Sequence, residues 1–154
     1  MSNEDPLAYL LTWPTYGTWL PGDERGWIEY HEGWKLPDPA LQLEAKARMA
    51  EAACVLAVAE REIIESQIAE TCKYRNWVLH AVNCRSNHIH VVVSAASCHP
   101  EKIRNDLKAW STRRLRSNSP NRKQWWAERG SQRYINDKYS LEQAILYVRD
   151  AQDK

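Results

Sequence analysis

The order of elements in this 154-residue chain predicts an α+β fold. It is a ferredoxin-like, split βαβ (βαββαβ) antiparallel sheet with an additional C-terminal helix. Three observations predict it. Short runs of β-branched and aromatic residues, at 7–13, 77–82, 88–93 and around Tyr134 and Ile135, alternate with two helical stretches in the order strand, helix, strand, strand, helix, strand. Only Arg85-Ser86-Asn87 separates the second run from the third, so those two return antiparallel. A further amphipathic stretch, from Leu141 to about Gln152, follows the fourth strand.

Each element has its own warrant. The first strand is closed by Pro14, which cannot donate to a sheet ladder. Residues 14–39 then form an aromatic-rich loop insertion, punctuated by Pro21-Gly22. Four of the eight tryptophans fall between Trp13 and Trp34, in a chain with no phenylalanine. Aromatics on such a loop either stack on unpaired bases or fold back as a lid on the core.

Residues 40–73 are rich in Ala, Glu, Lys and Arg, without Gly or Pro, and read as helix. Ile64, Ile68 and Cys72 mark the stripe that packs on the sheet, within 58–73, and the earlier portion reads as a separate helix. Pro100 opens the next helix at a tolerated first-turn position, with Ile103, Leu107 and Trp110 as its core stripe. Pro120 lies in a polar break, and Ser140 is expected to cap the last helix.

Composition bounds the function. With 44% hydrophobic residues and no long apolar run, the chain suits one globular domain and no membrane span. Its acidic, polar start reads as no secretory signal. Cys54, Cys72, Cys84 and Cys98 form no Cys-x-x-Cys pair, so reduced thiols in the cytoplasm are expected. Residues 1–98 hold 8 Lys and Arg against 13 Asp and Glu, whereas residues 99–154 hold 13 against 7. A basic C-terminal third can attract a polyanion although the net charge is only +1. Arg104, Lys108, Arg113, Arg114 and Arg116 on the second helix carry much of that charge and are the expected phosphate contacts.

The chemistry centres on His88-Ile89-His90, which runs into Val91, Val92 and Val93. Alternation puts both imidazoles on one face and Ile89, Val91 and Val93 on the other, toward the helices. Two imidazoles on a rigid strand can share one metal ion while other positions stay open. No third histidine stands at position 92, no pair of His-x-Thr/Ser motifs occurs, and His-Glu-x-x-His is absent. The histidine pair therefore needs a nucleophile from elsewhere. Tyr147 lies about 100° round the last helix from Val148, at the border of the stripe Leu141, Ala144, Ile145 and Val148. Tyr134 and Tyr139 are its competitors.

Taken together, Ser86-Asn87-His88-Ile89-His90 with its valine run, the basic helix around Leu107-Lys108-Ala109-Trp110 and the end from Ser140 to Val148 resemble the single-tyrosine HUH transposases. The stretch from Thr15 to Asp23 is similar to a group related to the REP-associated tyrosine transposases. The resemblance covers nearly the whole chain, and it implies a single HUH-type nuclease domain over 1–154. It implies a metal-dependent single-stranded DNA endonuclease and strand transferase acting through a 5′-phosphotyrosine. His88 and His90 match the metal ligands for Mg or Mn, and Tyr147 the nucleophile. Single-stranded or hairpin DNA and a second copy of the chain are the implied partners.

One departure stands out. Where relatives commonly place a Gln as third ligand, one helical turn after the tyrosine, this chain has Ala151. Gln152 is the expected substitute, with Asp150 or water as alternatives. Two other readings stay open: a catalytically inactive binder of structured single strands, and a phosphoesterase that uses water.

Overall fold

A computed structural model describes residues 5–29, 32–128 and 130–150. Four strands form one antiparallel sheet: β1 (Ala8–Pro14), β4 (Val78–Cys84), β5 (His88–Ser94) and β6 (Ser131–Ile135), in the order β4-β5-β1-β6. Two crossovers join them, through α2 (Val58–Arg75) and α3 (Pro100–Asn118), and α4 (Lys138–Asp150) follows. This is the βαββαβ arrangement with a terminal helix that the element order predicts.

The sheet buries both faces, and the alternation in β5 explains why. Ile89, Val91 and Val93 join Leu11 and Trp13 of β1 against Ile64 and Ile68 of α2 and Ile103, Leu107 and Leu115 of α3. On the other face Val92 meets Ala8, Ala81 and Ile135 beneath Val148 of α4. Each fully buried aliphatic side chain stabilises the fold by about 1.5–3 kcal/mol relative to exposure. Two hydrophobic layers therefore fix the strand that carries the histidines from above and below.

The structure departs from expectation at four places. The stretch 40–73 does hold a separate earlier helix, α1 (Pro39–Ala47), which buries nothing, but residues 48–57 before α2 are not helical. Between them the chain runs extended so that Cys54 N–H donates to Tyr16 O (2.8 Å) and Leu56 N–H to Ser86 O (2.7 Å). Those long-range bonds override the local helix preference. The loop insertion contains a small hairpin, β2 (Trp27–Glu29) with β3 (Gly33–Lys35). Of the loop tryptophans Trp27 is buried, whereas Trp19 and Trp34 are 40% and 56% exposed.

The stripe of α3 continues through Ser111 to Leu115 instead of Trp110, over which the Arg113 guanidinium stacks at 4.7 Å. Finally, α4 starts at Lys138, one turn earlier than expected. Asp137 caps it, accepting from Ser140 N–H at 2.8 Å, so Ser140 lies inside the helix. The four cysteines are free thiols. Among the described residues no helix is long and apolar enough to cross a membrane.

Candidate active site

β5 begins at His88, so the histidine pair stands at the end of the sheet where β1 and β4 finish. Directly opposed residues of antiparallel strands share a face. His90 is opposed by Thr12 of β1 on one side and by Asn83 of β4 on the other. The three form a polar row that borders the apolar patch of Ala81, Val92 and Leu10 under α4.

Both imidazoles are oriented by neighbours. Thr12 Oγ1 lies 3.0 Å from His90 Nδ1. His88 Nδ1–H donates to Asn87 Oδ1 at 2.7 Å. An amide oxygen only accepts, so in this contact the proton is carried by His88 Nδ1. The two rings are perpendicular, with centroids 4.5 Å apart. Burial pushes the His90 imidazole down to about 4, helped by the charges of His88 and Arg85. His90 is therefore neutral at pH 7, the form that binds metal.

Tyr147 closes the site from above. Val148 is fully buried, and Leu141, Ala144 and Ile145 pack around it, which seats α4 across β4 and β5. Tyr147, one residue before Val148, is 45% exposed, and its ring lies perpendicular to His90 with centroids 5.7 Å apart. Asn83 Nδ2 donates to Val148 O at 2.9 Å, tying the last described turn of α4 to the strand beside His90.

The competing tyrosines lie elsewhere. Tyr134 is opposed to Tyr9 in the sheet and meets its ring edge-on at 5.3 Å, on the α2–α3 face. Tyr139 is in the first turn of α4 and 70% exposed.

The donor set suits a divalent ion held in part. Among the described residues no cluster of three His, Cys, Asp or Glu occurs. Two imidazoles on one strand, each with Nδ1 held by a neighbour, fit an ion that takes its remaining ligands from oxygen. Gln152 lies outside the described residues, and Asp150 is exposed at the end of α4.

The basic set on α3 divides by environment. Arg104 is 6% exposed and donates to Gln132 Oε1 of β6 at 2.6 Å, so it serves packing at the sheet edge. Lys108 Nζ donates to Ala127 O at 3.1 Å. Arg114 reaches Gln67 Oε1 and Glu70 Oε2 of α2. Arg113 and Arg116 stand exposed. All five lie on a helix that packs on the sheet face opposite the histidines.

Thr12, Asn83 and Asn87 escaped the sequence reading. Asn87 alone left a signal, by preceding His88; the others are recognised only through strand register.

A family profile described as IS200-like transposase matches residues 51–149. Two solved structures share the fold. One is a crystal structure of a candidate transposase from Deinococcus radiodurans R1, 16% identical over 100% of this chain and 97% of that one, with a TM-score of 0.56. The other is a REP-associated tyrosine transposase bound to a REP hairpin, 10% identical over 96% of this chain and 68% of that one, with a TM-score of 0.55. At these identities they show the fold alone. Comparison with curated proteins gives no match.

Proposed function

Because this chain belongs to the IS200-like transposase family, we propose that it cleaves and rejoins single-stranded DNA through Tyr147, beside a divalent ion held by His88 and His90. One observation carries the reading. A tyrosine on α4 and a histidine on β5, far apart in sequence, meet with ring centroids 5.7 Å apart at an open end of the sheet.

The Tyr147 oxygen attacks the scissile phosphorus and the bond to the 3′ oxygen breaks. A 5′-phosphotyrosine and a free 3′-OH result, the departing oxygen taking up a proton. Attack by a 3′-OH on the phosphotyrosine reverses the step and releases the phenol. Mg or Mn, when bound, would supply Lewis-acid polarisation of the phosphate oxygens. Thr12 and Asn87 hold the imidazoles in place, and burial keeps His90 unprotonated. Half-exposed Tyr147 is reachable by a strand whose backbone is not locked in a duplex.

The remaining parts of the proposal are coarser. Residues 1–154 act as one nuclease domain in the cytoplasm, where the four thiols stay reduced. The substrate is single-stranded or hairpin DNA, with Arg113 and Arg116 on its phosphates. β4 and β6 are the outer strands of the sheet, and their unpaired edges are the route to a homodimer.

The test is capture of a covalent adduct on a labelled single-stranded oligonucleotide with Mg or Mn. Wild-type protein should give an adduct and a free 3′-OH end; Tyr147→Phe should give neither and still bind. Retention without cleavage would make the protein a binder. Cleavage without an adduct would make water the nucleophile.

A further inference from the structure

Asn83 lies between the two halves of the site and belongs to neither. On β4 it stands directly opposite His90, and its side-chain amide reaches across to the backbone of α4 at Val148 O, 2.9 Å away. Val148 is the neighbour of Tyr147. The chain of contact thus runs from the strand that flanks His90, through one amide, to the peptide beside the tyrosine.

The apolar seat of α4 cannot do this work alone. Ala8, Ala81, Val92 and Ile135, with Leu10, form a small apolar surface under Val148, and Leu141, Ala144 and Ile145 pack around it. Hydrophobic contact is non-directional, so such a seat sets the height of the helix over the sheet more firmly than its slide or roll. One residue of roll turns a helix by about 100°. That would carry Tyr147 away from His90 and bring exposed Leu146 or buried Val148 into its place. A hydrogen bond is directional and acts over a few tenths of an ångström. Asn83 places one at the turn where the roll matters.

We propose that Asn83 is a positioning residue that fixes the axial register of α4, and so the approach of Tyr147 to the histidine pair. The proposal rests on Tyr147 being the nucleophile. Asn83 acts through the backbone of α4. Its amide adds a directional contact to the apolar seat at the turn that carries Tyr147.

The test compares Asn83→Leu, which keeps the volume and removes the donor, with Asn83→Gln, which keeps the donor on a longer stem. Single-turnover cleavage and oligonucleotide affinity are measured together with amide hydrogen exchange in α4. Asn83→Leu should slow cleavage by about 10- to 100-fold, the scale set by a misplacement near 1 Å, with affinity within about twofold of wild type. Exchange in the last turn of α4 should quicken, and the first turn should not change. Asn83→Gln should recover most of the rate.

A wild-type cleavage rate in Asn83→Leu, or unchanged exchange in the last turn, overturns the proposal. So does a parallel fall in rate and affinity that Gln does not rescue. Exchange is read without any cleavage. If wild-type protein forms no Tyr147-dependent adduct, the nuclease reading fails. If it does form one and Asn83→Leu matches it, only the role of Asn83 fails.

Discussion

Replacing Lys108 by Met should make the protein more stable at pH 7, by an amount that shrinks as the solution is made alkaline. Burial, with Arg104 nearby, holds the Lys108 ammonium down at about 8 against an ordinary value of 10.5. At 1.36 kcal/mol per pH unit, that gap corresponds to roughly 3 kcal/mol of destabilisation by the buried charge. The bond from Nζ to Ala127 O (3.1 Å) returns part of it, on the order of 1 kcal/mol. A net gain of roughly 1–2 kcal/mol is expected for Lys108→Met.

The sign with pH follows from the depressed value. Below about 8 the ammonium is charged in both folded and unfolded chains, so its cost is present in full. Between about 8 and 10.5 the folded chain releases its proton first, and the cost disappears. Cys54 and Cys72, pushed up to about 11 by burial, act in the opposite sense, because unfolded thiols ionise first as pH rises. They are common to both proteins and cancel in the difference. Urea unfolding of wild type and Lys108→Met at pH 7 and pH 10 gives that difference directly. A gap that stays constant with pH, or a Met variant less stable at pH 7, refutes the reasoning.

Three further outcomes are expected. Mixing His88→Ala with Tyr147→Phe protein should not restore cleavage, because His90 and Tyr147 meet within one chain; recovery in a gel assay for the adduct would mean that the tyrosine comes from a second copy. Arg113→Ala and Arg116→Ala should each flatten the salt dependence of oligonucleotide binding by about 0.7 per lost phosphate contact, while Arg104→Ala should lower the unfolding midpoint, since it leaves Gln132 without its buried partner. Thr12→Val should weaken binding of Mn by about 10- to 100-fold, the range for removing a group that orients a metal-binding imidazole; isothermal titration of the DNA-free protein measures it, and unchanged affinity removes Thr12 from the site.

Some of this architecture is legible in the sequence for a definite reason. A period of two in β5 separates Ile89, Val91 and Val93 from the histidines without reference to any other residue. The same logic places Tyr147 at the edge of a stripe on α4. What local pattern cannot supply is register. Thr12 and Asn83 become neighbours of His90 only once β1, β4 and β5 are aligned, and no window of sequence contains all three strands. Two helices within 40–73 are compatible with the sequence, but residues 48–57 have ordinary helix formers and nothing local marks their extended path; bonds from Cys54 and Leu56 to Tyr16 and Ser86 decide it. Arg104 follows Ile103 on the helix and reads as one of five cationic phosphate contacts. Its burial depends on where α3 crosses the edge strand β6, a fact of tertiary geometry. The hairpin β2–β3 was too short, at three residues per strand, to show alternation.

The placement of α3 and of the histidine pair on opposite faces has a consequence for substrate length. The sheet acts as a partition, with the histidine pair and Tyr147 on one side and the most cationic helix on the other. A short oligonucleotide at Tyr147 need not meet Arg113 or Arg116 at all. A longer one has to bend round a rim of the sheet before its backbone gains those charges. Affinity for DNA should therefore rise in a step as the strand is lengthened, while the rate of the covalent step, once bound, stays level. Trimming a substrate would then separate holding from cutting with no change to the protein.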